Sequence, residues 1–344
     1  MNPESSREAA FAKGGPYWHL YTNGENMPLI FTSPADYAFG LLLLGVALVA
    51  FPNIRILTFS LMSNHLHIIL AGPEKDIRAF FKRYKERLSR YLNKRGGICR
   101  LDNMEAGLYL IPDLRALRSE IIYVHRNGYV VHAECTPFSY WWSAGIFYFN
   151  PIARMVPTRS FGSYSLREQR EMCHSRDYLL SDDYQLIPDY RPPGAKEDVP
   201  LLTAPSFCAI QEAESFFRDA HQYFRMLGKD HEAHAEVAQR MKERIFLTDD
   251  ELFGVVCSLS AKEYGTPNPV LSTPEQKISL AKRMHFDYNA SNKQIQRMLK
   301  LSPTLVDELF PRLDLSSKQG RFEDKSTNNR HFSSKRPFSE ENHR

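Results

Sequence analysis

The sequence predicts an α+β fold: a ferredoxin-like β-α-β-β-α-β core with an antiparallel sheet, then a mostly α-helical C-terminal region containing a helix-turn-helix-like unit. Three observations carry this. Short β-rich runs and segments of helical period alternate across residues 17–111 in the order of a split βαβ unit. Two apolar runs, IRILTFSL and HLHIIL, lie three residues apart, as in a hairpin. Beyond Pro205 the apolar spacing is helical almost throughout.

The elements follow in order. YWHLYT (17–22) reads as a strand. A helix over 34–50 opens on Ser33 as N-cap with Pro34 in its first turn. Its run from Phe39 to Phe51 is apolar all round but spans 13 residues, which is too short to cross a bilayer, so it reads as a buried helix. Strands at 54–61 and 65–70 come next. A helix over about 76–93 then places Ile77, Phe80, Phe81, Tyr84, Leu88, Tyr91 and Leu92 on one stripe, and Gly96-Gly97 ends it. GLYLI (107–111) is the fourth strand, and Pro112 opens a helix to about Arg126. In this order the first strand and the histidine-bearing strand are central. The helices at 34–50 and 76–93 cover one face, leaving the other for chemistry.

The domain division read from the chain is 15–150 as the split βαβ unit, 151–205 as an irregular linker region around RPPGAKEDVP, and 206–265 as a helical region. Residues 274–312 form the helix-turn-helix-like unit, and the polar 313–344 reads as a disordered tail. In the helix-turn-helix-like unit the last helix carries Asp307 and Glu308, a poor surface for a groove walled by phosphates.

Composition excludes several classes. Hydrophobic content of 43% and charged content of 24% are those of an ordinary globular chain. The five cysteines are scattered and form no CxxC, which argues against a disulfide scaffold or a cysteine zinc site and for a reducing cytosol. The net charge of +4 is unevenly spread: Glu74–Arg100 holds ten Lys/Arg against three Asp/Glu. A local basic surface points to a polyanion, although a solvated helix face has the same composition. Lys82, Arg83, Arg87 and Arg90 are the candidates for gripping such a polyanion.

In LMSNHLHIIL (61–70), His65 and His67 fall on one face of a strand. Two neutral imidazoles so placed make half a divalent-metal site. The plainer alternative is a hydrogen-bonded pair of core histidines. In SEIIYVHRNGYV (119–130), Tyr123 and Asn127 are four apart and share a helix face. A tyrosine can attack phosphorus and carry a covalent phosphotyrosine, but at its free pKa of about 10 it needs the phosphate polarised. A cation held by two imidazoles and the Asn127 amide oxygen would do this, and mixed neutral N/O donors suit Mg²⁺ or Mn²⁺. Against this, the chain has 17 tyrosines, most of which must simply pack. Tyr84 and Tyr91 belong to the apolar stripe of their helix. His125 and His132 are weaker ligands on position, since His125 points about 200° round the helix from Tyr123.

The series S-N-H-L-H, a basic helix and then Y-V-H-R-N resembles the single-tyrosine HUH transposases, and among them the REP-associated tyrosine transposases. TPFSYWWSA (136–144) resembles the aromatic segment that follows their tyrosine helix. The likeness covers roughly residues 15–150. It departs where Gly128-Tyr129 follows Asn127 in place of Asn-Pro, and where no Gly…Trp-Gln…Arg-Phe segment precedes the tyrosine helix. The resemblance implies a cytoplasmic, nucleoid-associated enzyme that nicks and rejoins single-stranded or hairpin DNA through a 5′-phosphotyrosine on Tyr123. His65, His67 and Asn127 would hold Mg²⁺ or Mn²⁺, with a homodimer as one arrangement and no membrane contact. The rivals are a DNA-binding regulator descended from such an enzyme that no longer cuts, and an unrelated HxH metallohydrolase.

Overall fold

The computed structural model describes residues 2–23, 29–95, 101, 104–131, 139–191, 196, 198–229, 231–241, 247 and 249–311. A helix the sequence reading did not anticipate comes first: α1 (Pro3–Gly14), capped by the Asn2 side chain on the Glu4 amide. Next are β1 (Tyr17–Thr22), α2 (Pro34–Leu48), β2 (Arg55–Leu61), β3 (Leu66–Ala71), α3 (Glu74–Lys94), β4 (Ala106–Leu110) and α4 (Leu114–Val131). The four strands form one sheet in the order β2-β3-β1-β4, and all three neighbouring pairs are antiparallel. The first strand and the histidine strand are therefore the central pair. Gly96-Gly97 lies outside the described residues.

The two faces of this sheet are told apart by register. His19 on β1 is opposite Ile69 on one side and Tyr109 on the other, and Tyr21 is opposite His67 and Gly107. These residues, with Thr58 and Ser60 of β2, share one face; Leu20, Ile68 and Leu108 share the other. α3 lies on the second face, where Phe81 and Lys82 share a cleft with Leu20 and Leu108, and α2 packs on α3. α4 packs on the first face, against β2 and β3.

α2 is apolar all round because it is buried all round. Ser33 and Asp36 form a reciprocal capping box at its start, and every residue from Asp36 to Ala47 is buried. One side meets α3 and the other meets a second sheet. At Gly45 a Cβ would lie 2.7 Å from the Leu202 methyl, so only glycine permits that approach.

That second sheet corrects the reading of 151–205 as linker. It consists of β5 (Arg159–Ser160), β6 (Gln185–Tyr190) and β7 (Val199–Leu202), ordered β5-β6-β7 and antiparallel, with α5 (Leu166–Cys173) between the first two strands. Leu186, Leu201 and Leu202 are buried in the core under α2. The strand signal was masked by Pro188, which sits where the β6–β7 register shifts between Ile187 and Tyr190, a place where a missing N–H costs nothing.

Eight α-helices follow among the described residues: α6 (Ala204–Phe207), α7 (Ile210–Ser215), α8 (Ala220–Lys229), α9 (His231–Met241), α10 (Asp249–Tyr264), α11 (Pro274–Tyr288), α12 (Asn292–Leu299) and α13 (Pro303–Leu309). They do not stand apart from the core as the division at Pro205 supposed. α7 packs on β2, and α8 and α9 pack on α4. Arg118 donates to the Phe216 carbonyl at 2.7 Å, Arg126 to the Leu227 carbonyl at 2.5 Å, and Arg55 to Glu212 at 2.8 Å. α11, α12 and α13 pack in succession, and Asn292 ties α12 to α13 by donating to Asp307 at 2.7 Å and to the Phe310 carbonyl at 3.0 Å. The expected tail, 313–344, lies outside the described residues. No helix among the described residues is long and apolar enough to cross a membrane.

The outer edge of β2 is covered. Leu61 donates its amide to the Trp142 carbonyl at 2.8 Å, Ser60 bridges Ser143, and Ala209 donates to the Ile56 carbonyl at 2.8 Å.

Because α7, α8 and α9 cover buried surfaces of β2 and α4, a chain ended after Pro205 exposes those faces and strands the buried Arg118 and Arg126. It should lack a cooperative thermal transition by circular dichroism and should aggregate. A sharp transition from a soluble monomer would show that the first 205 residues make a complete core.

Candidate functional site

The site begins with strand alternation. β3 starts at Leu66, one residue later than expected, because Met62 donates its amide to the His65 carbonyl at 2.9 Å and closes the β2–β3 turn there. His65 nonetheless keeps the alternation and stays half-buried at the strand mouth, its Nδ1 2.8 Å from Asn64 Oδ1. Its ring centroid is 5.2 Å from that of His67, which is wholly buried.

α4 brings the tyrosine to this pair. Glu120, Tyr123 and Asn127 follow a three-then-four spacing and so make one stripe, while Leu117, Ile121 and Val124 fill the adjoining one. The Tyr123 ring lies edge-on to His67 at 5.5 Å between centroids and 6.1 Å from His19. Three of the four predicted residues, His65, His67 and Tyr123, are thus joined by ring contacts. Tyr123 is 1% exposed. Asn127 is one turn further along α4, and its Nδ2 is buried with no hydrogen-bond partner. An amide has the same shape when turned by half a rotation, so that position accepts either end of the group.

Next to Asn127, Gly128 has no Cβ where the Tyr140 ring packs; any side chain would collide with that ring. Tyr140 in turn donates its hydroxyl to the Leu61 carbonyl at 2.5 Å. This accounts for glycine following Asn127, and it ties the aromatic segment to the tyrosine helix.

Three residues of the site were not read from the sequence. His19 Nε2 is 3.0 Å from His67 Nδ1, and His19 Nδ1 is 2.7 Å from Glu120 Oε2. The other oxygen of Glu120 pairs with Arg240 of α9, whose guanidinium also lies over the Tyr109 ring. His19, His67 and Glu120 are all fully buried. One signal was present: YWHLYT alternates, so His19 had to share a face with Tyr17 and Tyr21 on a central strand. Glu120 and Arg240 join it from distant parts of the chain and leave no local mark.

His125 is a satisfied core histidine. Thr58 Oγ1 lies 2.6 Å from its Nε2 and the Tyr223 hydroxyl 2.8 Å from its Nδ1. Burial disfavours its charged form and pulls its pKa down to about 3. His132 lies outside the described residues.

The predicted DNA-contact residues lie elsewhere. α3 covers the sheet face opposite the histidines, so Lys82, Arg83, Arg87 and Arg90 are across the sheet from Tyr123. Lys82 lines the cleft with Arg78 and Lys85, while the Arg83 and Arg87 guanidiniums stack on Tyr178. Arg87 and Arg90 line a second cleft of about 610 Å³ with Lys94, Arg95 and His174, and among the described residues no carboxylate lines it. Burial and then the charges of Lys94 and Arg95 hold the His174 pKa below that of a free imidazole.

Among the described residues no three His, Cys, Asp or Glu side chains are grouped to hold a metal ion. A donor set here would be two imidazoles and an amide. Such mixed nitrogen and oxygen donors are compatible with a divalent cation that completes its shell with water and phosphate oxygens, and the buried Asn127 amide nitrogen without a hydrogen-bond partner is the observation that bears on it. Comparison of the chain with protein-family models, curated proteins and solved structures finds no match. Function must therefore be argued from the residues.

His125 makes stability depend on pH in a defined sense. Its folded pKa is about 3 against 6.5 for the free group, so its contribution is complete above pH 6.5 and is lost as pH falls toward 3. Relative to a His125→Gln variant, the wild-type chain should lose stability below pH 6.5 at up to about 1.4 kcal/mol per pH unit. Urea midpoints across that range measure it, and parallel curves for the two proteins would show that His125 does not titrate with unfolding.

Proposed function

We propose that the chain is a metal-dependent enzyme that nicks and rejoins single-stranded DNA, of the single-tyrosine HUH type, with a ferredoxin-like core. The observation that carries this is the packing of the Tyr123 ring on His67, itself beside His65. The strand order β2-β3-β1-β4 and the edge contact of the aromatic segment agree with the reading. His65, His67 and Asn127 would hold Mg²⁺ or Mn²⁺. A cation bound there draws charge from the phosphate oxygens and makes phosphorus electrophilic. Tyr123 Oη forms the new P–O bond and gives up its proton. The bond from phosphorus to the 3′ oxygen breaks, and that oxygen takes up a proton as the free 3′-OH. The 5′ phosphate stays on the protein, and attack by another 3′-OH reverses the step and joins strands.

On this reading, the basic residues of α3 hold the strand on the far side of the sheet, Lys82 at one cleft and Arg87 and Arg90 at the other. α11–α13 supply the helix-turn-helix-like unit, for duplex contact or for pairing two chains in the nucleoid of the cytoplasm. One observation favours the second reading, a regulator that binds DNA without cutting it: Tyr123 is 1% exposed, so a phosphate reaches it only if α4 or its cover opens.

Incubation of labelled hairpin DNA with the protein and Mn²⁺ separates the two. Wild type should give an SDS-resistant adduct. Tyr123→Phe should give none while binding DNA and Mn²⁺ as before, and Asn127→Ala should weaken Mn²⁺ binding about 10-fold or more. DNA mapped to Tyr84 or Tyr91, or adduct unaffected by EDTA, would refute the assignment; binding without adduct would select the regulator.

Salt dependence tests the far-side contacts. Replacing Lys82, Arg87 and Arg90 with Ala should flatten the slope of log K against log salt by up to about 2, since each phosphate contact releases counterions (about 0.7 per contact on a single strand). An unchanged slope would leave α3 as a solvated face.

A further inference from the structure

We propose that Glu120, His19 and Arg240 are positioning residues that fix the tautomer of His67, so that helix α9 of the C-terminal region sets the donor nitrogen of the site. The inference rests on the reading of His67 as a metal ligand.

The argument is one of hydrogen-bond order. Glu120 is fully buried, with the Arg240 guanidinium on one oxygen and His19 Nδ1 at 2.7 Å on the other. A carboxylate between a guanidinium and an imidazole acts only as acceptor, so His19 carries its proton on Nδ1. A neutral His19 then has a lone pair on Nε2, which faces His67 Nδ1 at 3.0 Å. His67 must supply the proton of that bond and so holds it on Nδ1. Its Nε2 is left with the lone pair that a cation needs. An exposed histidine side chain in water prefers the opposite placement, with the proton on Nε2, so the chain Arg240–Glu120–His19–His67 works against the intrinsic preference. A donor to the far nitrogen of a ligating histidine also holds its ring plane, and loss of such a partner typically lowers metal affinity by about 10- to 100-fold.

The reach of this chain is what distinguishes it from packing. His19 comes from β1, His67 from β3, Glu120 from α4 and Arg240 from α9. The first three are buried side chains of the sheet and its covering helix, whereas the Arg240 side chain is 34% exposed and sits over Tyr109 at the β4 edge. α9 therefore acts on the site through the partly exposed Arg240 guanidinium, by way of Glu120 and His19.

The test reads the tautomer in the protein free of metal and DNA. Imidazole ¹⁵N–¹H correlation spectra at about pH 8, above the free histidine pKa of about 6.5, should show His67 with its proton on Nδ1. His19→Phe keeps a ring but removes both nitrogens; His67 should then move to the Nε2–H form, and Mn²⁺ affinity should fall by about 10- to 100-fold. His19→Gln, whose amide oxygen can stand where Nε2 stood, should keep the Nδ1–H form and most of the affinity. Arg240→Met, outside the buried set, should lower the melting temperature by leaving one Glu120 oxygen without its partner, and in the folded protein, read well below that transition, should mix the two tautomers and lower Mn²⁺ affinity. A wild-type His67 with its proton on Nε2 would overturn the proposal, because it would mean a charged His19 donating toward His67. So would an H19F protein with unchanged tautomer and affinity. Should H19F fail to fold, the wild-type and R240M spectra decide. Since no DNA is present, a correct tautomer with no adduct on hairpin DNA would sink the nicking reading alone.

Discussion

The antiparallel pairing of β1 with β3 places His19 and His67 on one buried face and lets their ring nitrogens meet at 3.0 Å. A slip of one residue in that pairing would turn His19 toward Leu20's side of the sheet and leave two buried imidazoles and a buried carboxylate without each other. Polar groups this deep are costly when left without partners. The apolar face opposite, with Leu20, Ile68 and Leu108 under α3, penalises the same slip from the other side. The two faces thus enforce one register.

The covering of the polar face follows from the same constraint. α4 brings not only Tyr123 but Glu120 and His125, and each of the last two must be satisfied by groups from other elements: Glu120 by His19 and Arg240, His125 by Thr58 and Tyr223. Tyr223 and Arg240 come from α8 and α9, beyond the point where the chain had been divided. A helix that carries this much polarity into a buried layer requires a second layer of helices to finish it.

How much of this was legible in the sequence depended on range. The spacing of His65 and His67 and of Tyr123 and Asn127 is local, so the periods of strand and helix brought it out directly. The strand order was readable because the run of elements admits few arrangements. Arg240, 120 residues from Glu120, leaves no mark on any window around Tyr123. β6 was missed because Pro188 masked a short strand, and α1 because Pro3–Gly14 has no apolar stripe of its own; none of its residues is buried. The charge run on α3 was visible, but not that Arg83 and Arg87 stack on Tyr178, a contact made across about ninety residues of chain.

The cover on β2 has a consequence for assembly. An uncovered edge strand offers a row of amides and carbonyls to any passing extended chain, and such edges seed domain exchange and fibrils. Here the carbonyls and amides at Ile56, Ser60 and Leu61 are already bonded to the segments around Trp142 and Ala209. Strand-by-strand growth on that side would first have to peel away both segments. At the other end of the sheet the edge strand is β4, five residues long and so of ordinary strand length. On the β2 side the chain has thus used its own segments to close the sheet against added strands.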